Sequence, residues 1–132
     1  GKGLKLKEGS DVTIVATGHL VWEALQAAEI LNEQGISAEV INIHTIKPLD
    51  DEAILNSISK TRCIVTAEEH NFLGGLGESV ARVLANNNPT PQEFVATQDT
   101  FGESGTPEQL MQKYGLNASA ICKAALKVID RK

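Results

Sequence analysis

The sequence predicts an α/β fold in which a mainly parallel sheet is covered by helices on both faces. Short runs of β-branched residues alternate with longer amphipathic stretches along the chain. Such alternation is typical of βαβ units, whose crossover helices cover the sheet. The 132 residues fit a single domain that spans the whole chain and can bury a core of its own.

Four short runs rich in β-branched residues predict buried strands, over residues 12–16, 38–43, 63–67 and 94–97. Continuous apolar runs of this length are typical of strands that are buried on both faces. Residues 4–6 predict a further short strand at the sheet edge. Helices are predicted over 19–34, 51–60, 78–86, a stretch that opens at 106, and one from 118 to the C-terminus.

Several residues mark the ends of these helices. Asp50 and Asn117 are predicted N-caps, because their side chains can accept a backbone N–H of the first turn. Gly35 is a predicted stop signal for the first helix. The apolar face predicted for that helix consists of Val21, Leu25, Ala28, Ile30 and Leu31.

The charge balance disfavours two classes of partner. Twelve basic and seventeen acidic residues give a net charge of −5, which disfavours nucleic acid and anionic membrane surfaces.

No apolar run reaches the ~18 residues that a membrane span requires, and no signal peptide is recognisable. Cys63 and Cys122 are too few and too far apart for a disulfide framework, so we expect two core thiols and a cytoplasmic protein.

The candidate functional segment is the predicted loop over residues 68–77, which follows a strand and opens a helix. It begins with Glu68, Glu69 and His70 and continues to a glycine-rich end. The glycines are Gly74, Gly75 and Gly77. Glycines at a helix entrance favour a tight turn and close packing, and the two carboxylates would repel a phosphate. We therefore expect an interface or effector loop at this position.

The residues give no basis for a self-contained active site. A Glu69–His70 dyad is geometrically awkward, because neighbouring residues of an extended strand point in opposite directions. His19, His44 and His70 are too scattered in the sequence for a zinc site built on local spacing. We assign no catalytic, cofactor-binding or metal-binding residue.

Four motifs, in the right order, resemble the C-terminal domain of transketolases that depend on thiamine diphosphate. They are residues 9–18 (GSDVTIVATG), 46–50 (IKPLD), 66–70 with 74–77 (TAEEH and GGLG), and 99–110 (DTFGESGTPEQL). The Glu-Glu-His sequence and the last motif are most similar to transketolases that are split into two subunits.

The resemblance implies a three-layer αβα sandwich with a mostly parallel five-stranded sheet and an antiparallel first strand. It also implies that the complete enzyme transfers two-carbon ketol units between sugar phosphates, using thiamine diphosphate and Mg²⁺ held by its N-terminal and middle domains or subunit. This chain would then bind no cofactor, contribute to a homodimer and lack activity by itself.

A second reading of the same resemblance is a regulatory or docking module. Related domains occur in deoxyxylulose-phosphate synthase and in the beta subunits of 2-oxo-acid dehydrogenases. In that case Glu69 and His70 would bind an effector or a partner protein. A stand-alone enzyme ranks last of the three hypotheses.

Overall fold

The computed structural model describes residues 2–44, 48–69, 75–96 and 117–132, which contain five strands and four helices. In chain order these are β1 Leu4–Lys7, β2 Val12–Ala16, α1 Leu20–Glu33, β3 Ala38–Asn42, α2 Asp51–Thr61, β4 Ile64–Glu68, α3 Leu76–Asn87, β5 Gln92–Ala96 and α4 Ala118–Asp130. The helix predicted to open at 106 and the motif over 99–110 lie outside the described residues.

The strands form one sheet in the order β1-β3-β2-β4-β5. β1 pairs antiparallel with β3 at one edge, and the other four strands are parallel. This confirms the mixed sheet and the edge strand predicted at residues 4–6. The parallel strands end together at what we call the carboxyl edge of the sheet and begin together at its amino edge.

The two sides of the sheet are covered by different helices, which confirms the three-layer αβα sandwich. We call the side under α1 and α4 the apolar face and the side under α2 and α3 the polar face. On the apolar face the buried strand residues are all hydrophobic: Val12, Ile14, Ala16, Ala38, Val40, Val65, Ala67 and Val95. Alanines from α1 and α4 pack against them, because small side chains allow helices to approach a sheet closely.

The polar face carries every polar or charged side chain that is buried among the described residues: Thr13, Glu39, Ser57, Thr61, Thr66 and Glu68. Strand residues on this face alternate with those on the other, since successive side chains of a strand point to opposite sides. The Thr13 hydroxyl lies 2.6 Å from the hydroxyls of both Ser57 and Thr61 in α2. These bonds join the central strand to that helix.

The predicted helix ends are confirmed by their capping geometry. Asp50 Oδ1 accepts the backbone N–H of Ala53 at 3.1 Å, and Asn117 Oδ1 accepts that of Ala120 at 2.9 Å. Gly35 follows α1 with φ +80°, a conformation that glycine adopts without strain. None of the four described helices is both long and apolar enough to span a lipid bilayer.

Two predictions about α1 and α3 are wrong. Ile30 belongs to the predicted apolar face of α1 but is 40% exposed. The helix instead buries Leu20, Ala24, Ala27, Ala28 and Leu31. The sequence predicts Gly77 in the loop over 68–77, yet it lies in the first turn of α3, which begins at Leu76.

Candidate functional site

Glu68 is the last residue of β4 and is 2% exposed, so the first acid of the candidate segment faces the protein interior. One carboxylate oxygen accepts the backbone N–H of Leu76 at 2.8 Å, and the other accepts that of Gly77 at 2.6 Å. These are two of the N–H groups that a helix N-terminus leaves without an internal partner. These two bonds stabilise the first turn of α3, which begins at Leu76 and not at the predicted residue 78. Because Glu68 is buried, it is not available to a partner at the surface.

Glu69 is half-buried and accepts a backbone N–H at the N-terminus of a different helix. Its Oε1 accepts the backbone N–H of His19 at 3.1 Å, at the N-terminus of α1. Because neighbouring residues leave a strand on opposite sides, Glu68 serves the polar face and Glu69 the apolar face. The Glu-Glu pair thus joins two helices to the end of one strand.

The glycines of the segment differ in their surroundings. A Cβ atom added at Gly77 would meet the ring of Phe94, with 2.7 Å to its Cε2, and the hydroxyl oxygen of Thr66 at 3.1 Å. The start of α3 therefore packs directly against β4 and β5, as expected for a glycine that allows close approach. Gly75 is the half-buried N-cap of α3. His70 and Gly74 lie outside the described residues, so the Glu69–His70 dyad stays untested.

The two described histidines do not form a metal site. His19 lies at the start of α1, and His44 follows β3, where its Nε2 is 3.2 Å from Asn42 Nδ2. Across the ranges that the structure describes, no three His, Cys, Asp or Glu side chains come together as metal ligands. Cys63 and Cys122 are buried, and burial raises the pKa of both thiols. They are core thiols, as predicted, and are poor nucleophiles.

The chain also contains an ion pair that the sequence pattern does not predict. The buried Glu39 carboxylate accepts from Lys60 Nζ at 2.6 Å and from the Gly9 N–H at 3.2 Å. Burial raises the pKa of Glu39, but the Lys60 ammonium and the bonds from Ser57 and Gly9 outweigh it, so the pKa lies below its usual value. The same contact raises the pKa of Lys60. A glutamate within a strand run was the available signal, but its partner is 21 residues away.

Carboxylates occupy the helix N-termini at the carboxyl edge. Such termini attract anions such as diphosphate through their N–H groups and dipole. Here Asp50 serves α2, Glu68 serves α3 and Glu69 serves α1. The described residues therefore do not fit a diphosphate cofactor at this edge, and the arrangement fixes helices instead of binding phosphate.

Comparison with known proteins identifies the family. The family model described as transketolase, C-terminal domain, matches residues 1–121. A 6-deoxy-6-sulfo-D-fructose transketolase subunit, SqwH, from Clostridium sp. (strain MSTE9) is 52% identical over the whole chain. A putative transketolase C-terminal section from Methanocaldococcus jannaschii is 43% identical over 99% of the chain. The chain spans 41% of the length of each of these relatives.

Solved structures agree with this assignment. A split-gene transketolase described as an inactive beta4 tetramer superposes with a TM-score of 0.93 at 46% identity, over 98% of this chain and 42% of that one. A transketolase mutant from Pichia stipitis, at 22% identity and a TM-score of 0.70, shares the fold over 97% of this chain and 18% of its own. The chain therefore belongs to the transketolase C-terminal domain family.

Proposed function

We propose that this chain is the C-terminal part of a transketolase subunit. It would complete the enzyme and provide a surface that docks against the other transketolase domains or subunit. The complete enzyme would transfer two-carbon ketol units between sugar phosphates, or between the related sugars that its relatives act on. The observation that carries this proposal is the 52% identity, over all 132 residues, to a subunit of a transketolase.

Thiamine diphosphate and Mg²⁺ would be held by the N-terminal and middle domains or subunit, and this chain would hold neither. The cofactor supplies the carbanion chemistry when it is bound, and the protein positions it. The capping of α1, α2 and α3 by carboxylates supports this division, because an added diphosphate would meet negative charge at each of these N-termini.

Only some of residues 68–77 can serve the interface role proposed for this segment. Glu68 and Gly77 are buried and serve the fold, whereas Glu69 and Gly75 are half-buried at the carboxyl edge. Within the described part of the segment, these two are the residues that a neighbouring domain can reach. We propose that the complete enzyme is a cytoplasmic homodimer of such units.

Reconstitution tests the proposal. The chain is combined with the polypeptide that carries the remaining transketolase domains, and ketol transfer is measured with thiamine diphosphate, Mg²⁺ and ketose donors that include a phosphate and a sulfo-sugar. We expect turnover by the combined proteins and none by the chain alone. Turnover by the chain alone would refute the division of labour.

The alternative reading as part of a deoxyxylulose-phosphate synthase is not favoured. Relatives with that activity are 37–43% identical to the chain, below the 52% of the transketolase subunit. In the reconstitution experiment, turnover of a 2-oxo acid in place of ketose donors would support that alternative over a transketolase.

A further inference from the structure

An open groove lies at the carboxyl edge, between the ends of β2 and β3 and the first turns of α1. It has a volume of ≈ 360 Å³ and is lined by Gly18, His19, Val21, Trp22, Leu25, Asn42 and His44. We call it the Trp22 groove. Its volume falls within the ~300–1,000 Å³ of recognition pockets, and the carboxyl ends of parallel strands are where open α/β sheets bind other molecules.

Trp22 is the most exposed large hydrophobic side chain among the described residues. It is 66% exposed, against 40% for Ile30 on the same helix and 42% for Leu126 on α4. Val21 and Leu25 beside it are packed partly against the core, so the apolar floor of the groove is anchored. An exposed tryptophan over such a floor is the residue type that most often dominates binding energy in interfaces.

The rim of the groove is polar and can form directional bonds. The bond between Asn42 Nδ2 and His44 Nε2, 3.2 Å long, uses one group of each side chain. The side-chain amide oxygen of Asn42 can accept a hydrogen bond from a ligand, and the second ring nitrogen of His44 can also form one. The combination of an apolar floor and a polar rim fits a peptide surface better than it fits a lipid.

The distribution of charge identifies the kind of partner. Acidic side chains occupy the first turns of helices at the carboxyl edge: Glu23 in α1, Asp51 and Glu52 in α2, and Glu78 in α3. At the amino edge, Arg131 and Lys132 donate to the carbonyls of Gln92 and Asp11, and Arg131 also pairs with Glu93. Lys2 near Asp50 is a basic exception at the carboxyl edge. No residue that lines the groove is a lysine or an arginine.

We propose that the Trp22 groove docks a basic segment of the transketolase polypeptide that completes this chain, with an arginine or lysine stacked on the Trp22 ring. A cation over the face of a tryptophan is attracted by the ring quadrupole, and the guanidinium group of arginine stacks well there. The Glu69 carboxylate, which lies beside Gly18 and the His19 N–H of the groove, and the net charge of −5 add attraction for such a segment. This inference rests on the proposed function, because it names the partner of the same domain.

The test measures binding of the completing polypeptide to wild type, to Trp22→Ala and to Trp22→Phe by calorimetry. We expect Trp22→Ala to weaken binding about tenfold or more and Trp22→Phe to weaken it less. Raising NaCl from about 0.05 M to about 0.5 M is expected to weaken the wild-type complex, since screening acts on exposed charges. Ile30→Ala is the matched control on the same helix, with an expected change below about twofold.

The outcomes separate this inference from the proposed function. One outcome is that wild type binds and supports turnover and that Trp22→Ala binds equally well. That result would refute the Trp22 groove as the docking site but leave the transketolase assignment intact. Binding that depends on Trp22 without ketol transfer would refute the proposed activity of the complete enzyme but support the groove as a docking site. Binding that strengthens with salt, or no binding by wild type, would also overturn the inference. Circular dichroism confirms that each variant is folded.

Discussion

The two faces of the sheet hold their helices by different means. On the apolar face, α1 and α4 rest on strand residues that are all hydrophobic, and the bonds that Glu69 makes to α1 and Arg131 makes to β5 lie at the ends of these helices. On the polar face, polar and charged side chains of the strands form hydrogen bonds to the helices. Glu68 binds the N-terminus of α3, Thr13 binds two hydroxyls of α2, and Glu39 binds Lys60 at the end of α2.

The difference shows how one sheet can be both well packed and uniquely arranged. Hydrophobic contacts are strong but non-directional, so they tolerate small shifts of a helix along the sheet. A buried carboxylate or hydroxyl is costly without its partner and therefore fixes the helix at one position. We infer that packing supplies most of the stability on the apolar face, and that hydrogen bonds fix the registry of α2 and α3 on the polar face.

The largest expected effect is on the bond between β4 and α3. Glu68→Ala removes the acceptor of two buried N–H groups, those of Leu76 and Gly77. Leaving both without a partner is expected to lower the free energy of unfolding by about 4 kcal/mol. The measurement is the urea unfolding midpoint and slope, together with hydrogen exchange of the two amides.

Glu69→Ala is the matched control, because Glu69 caps α1 from a half-exposed position. We expect a loss of about 1 kcal/mol, the usual cost of a removed cap. Equal losses for Glu68→Ala and Glu69→Ala would contradict the view that burial makes the first acid the stronger anchor.

The next effect concerns the apolar face. Ile14 is fully buried between the sheet and its helices, so Ile14→Ala leaves a cavity. We expect the free energy of unfolding to fall by about 3 kcal/mol, without loss of any side-chain hydrogen bond. Leu126→Ala, at a site that is 42% exposed, is the control and should change stability by less than about 0.5 kcal/mol. A loss of stability from Ile14→Ala as small as that of the control would contradict the view that packing supplies most of the stability on the apolar face.

A smaller effect is expected from the neighbouring residue on the other face. Thr13→Val keeps the shape of the side chain but removes the hydroxyl that lies 2.6 Å from both Ser57 and Thr61. We expect a loss of about 1.5 kcal/mol, measured by chemical denaturation. A stability gain would mean that the hydroxyl cluster is not a net anchor for α2.

The smallest effect is the pH dependence of the Glu39–Lys60 pair. The pKa of Glu39 lies below its ordinary value of 4.5, so its contribution is complete above that pH and is lost as the pH falls through the folded-state pKa. The pKa of Lys60 lies above 10.5, so its contribution is present below that pH and lost as the pH rises through the folded-state value. Unfolding curves across both ranges should show these two losses.

Removal of Lys60 gives the sharper form of this prediction. In Lys60→Met the buried Glu39 loses its cation. Protonation of Glu39 removes the unpaired charge, so the difference in unfolding free energy from wild type is expected to shrink as the pH falls towards and below 4.5, the ordinary pKa of a glutamate. Glu8→Gln is the control, since Glu8 contacts Lys60 at 3.6 Å from an exposed position. A difference that stays constant with pH would show that the pair is not titrating.

The candidate segment was only partly predictable. The sequence placed two acids and a glycine-rich stretch at the junction of β4 and α3, and the close packing expected of a glycine at a helix entrance is found at Gly77. It did not reveal which helix each acid would cap, because the His19 N–H lies 50 residues from Glu69 in the chain. Trp22 lies outside the apolar face predicted for α1, but local spacing does not show that the ends of β2 and β3 form a groove beside it.

The sequence by itself determined the alternation of strands and helices, the caps at Asp50 and Asn117, and the family, because periodicity and short motifs are local properties. Only the tertiary structure decided that one face of the sheet is polar, that Glu39 meets Lys60, and that Trp22 remains in solvent. These features depend on which elements lie next to one another. That choice is set by contacts between residues far apart in the chain, which a local pattern does not encode.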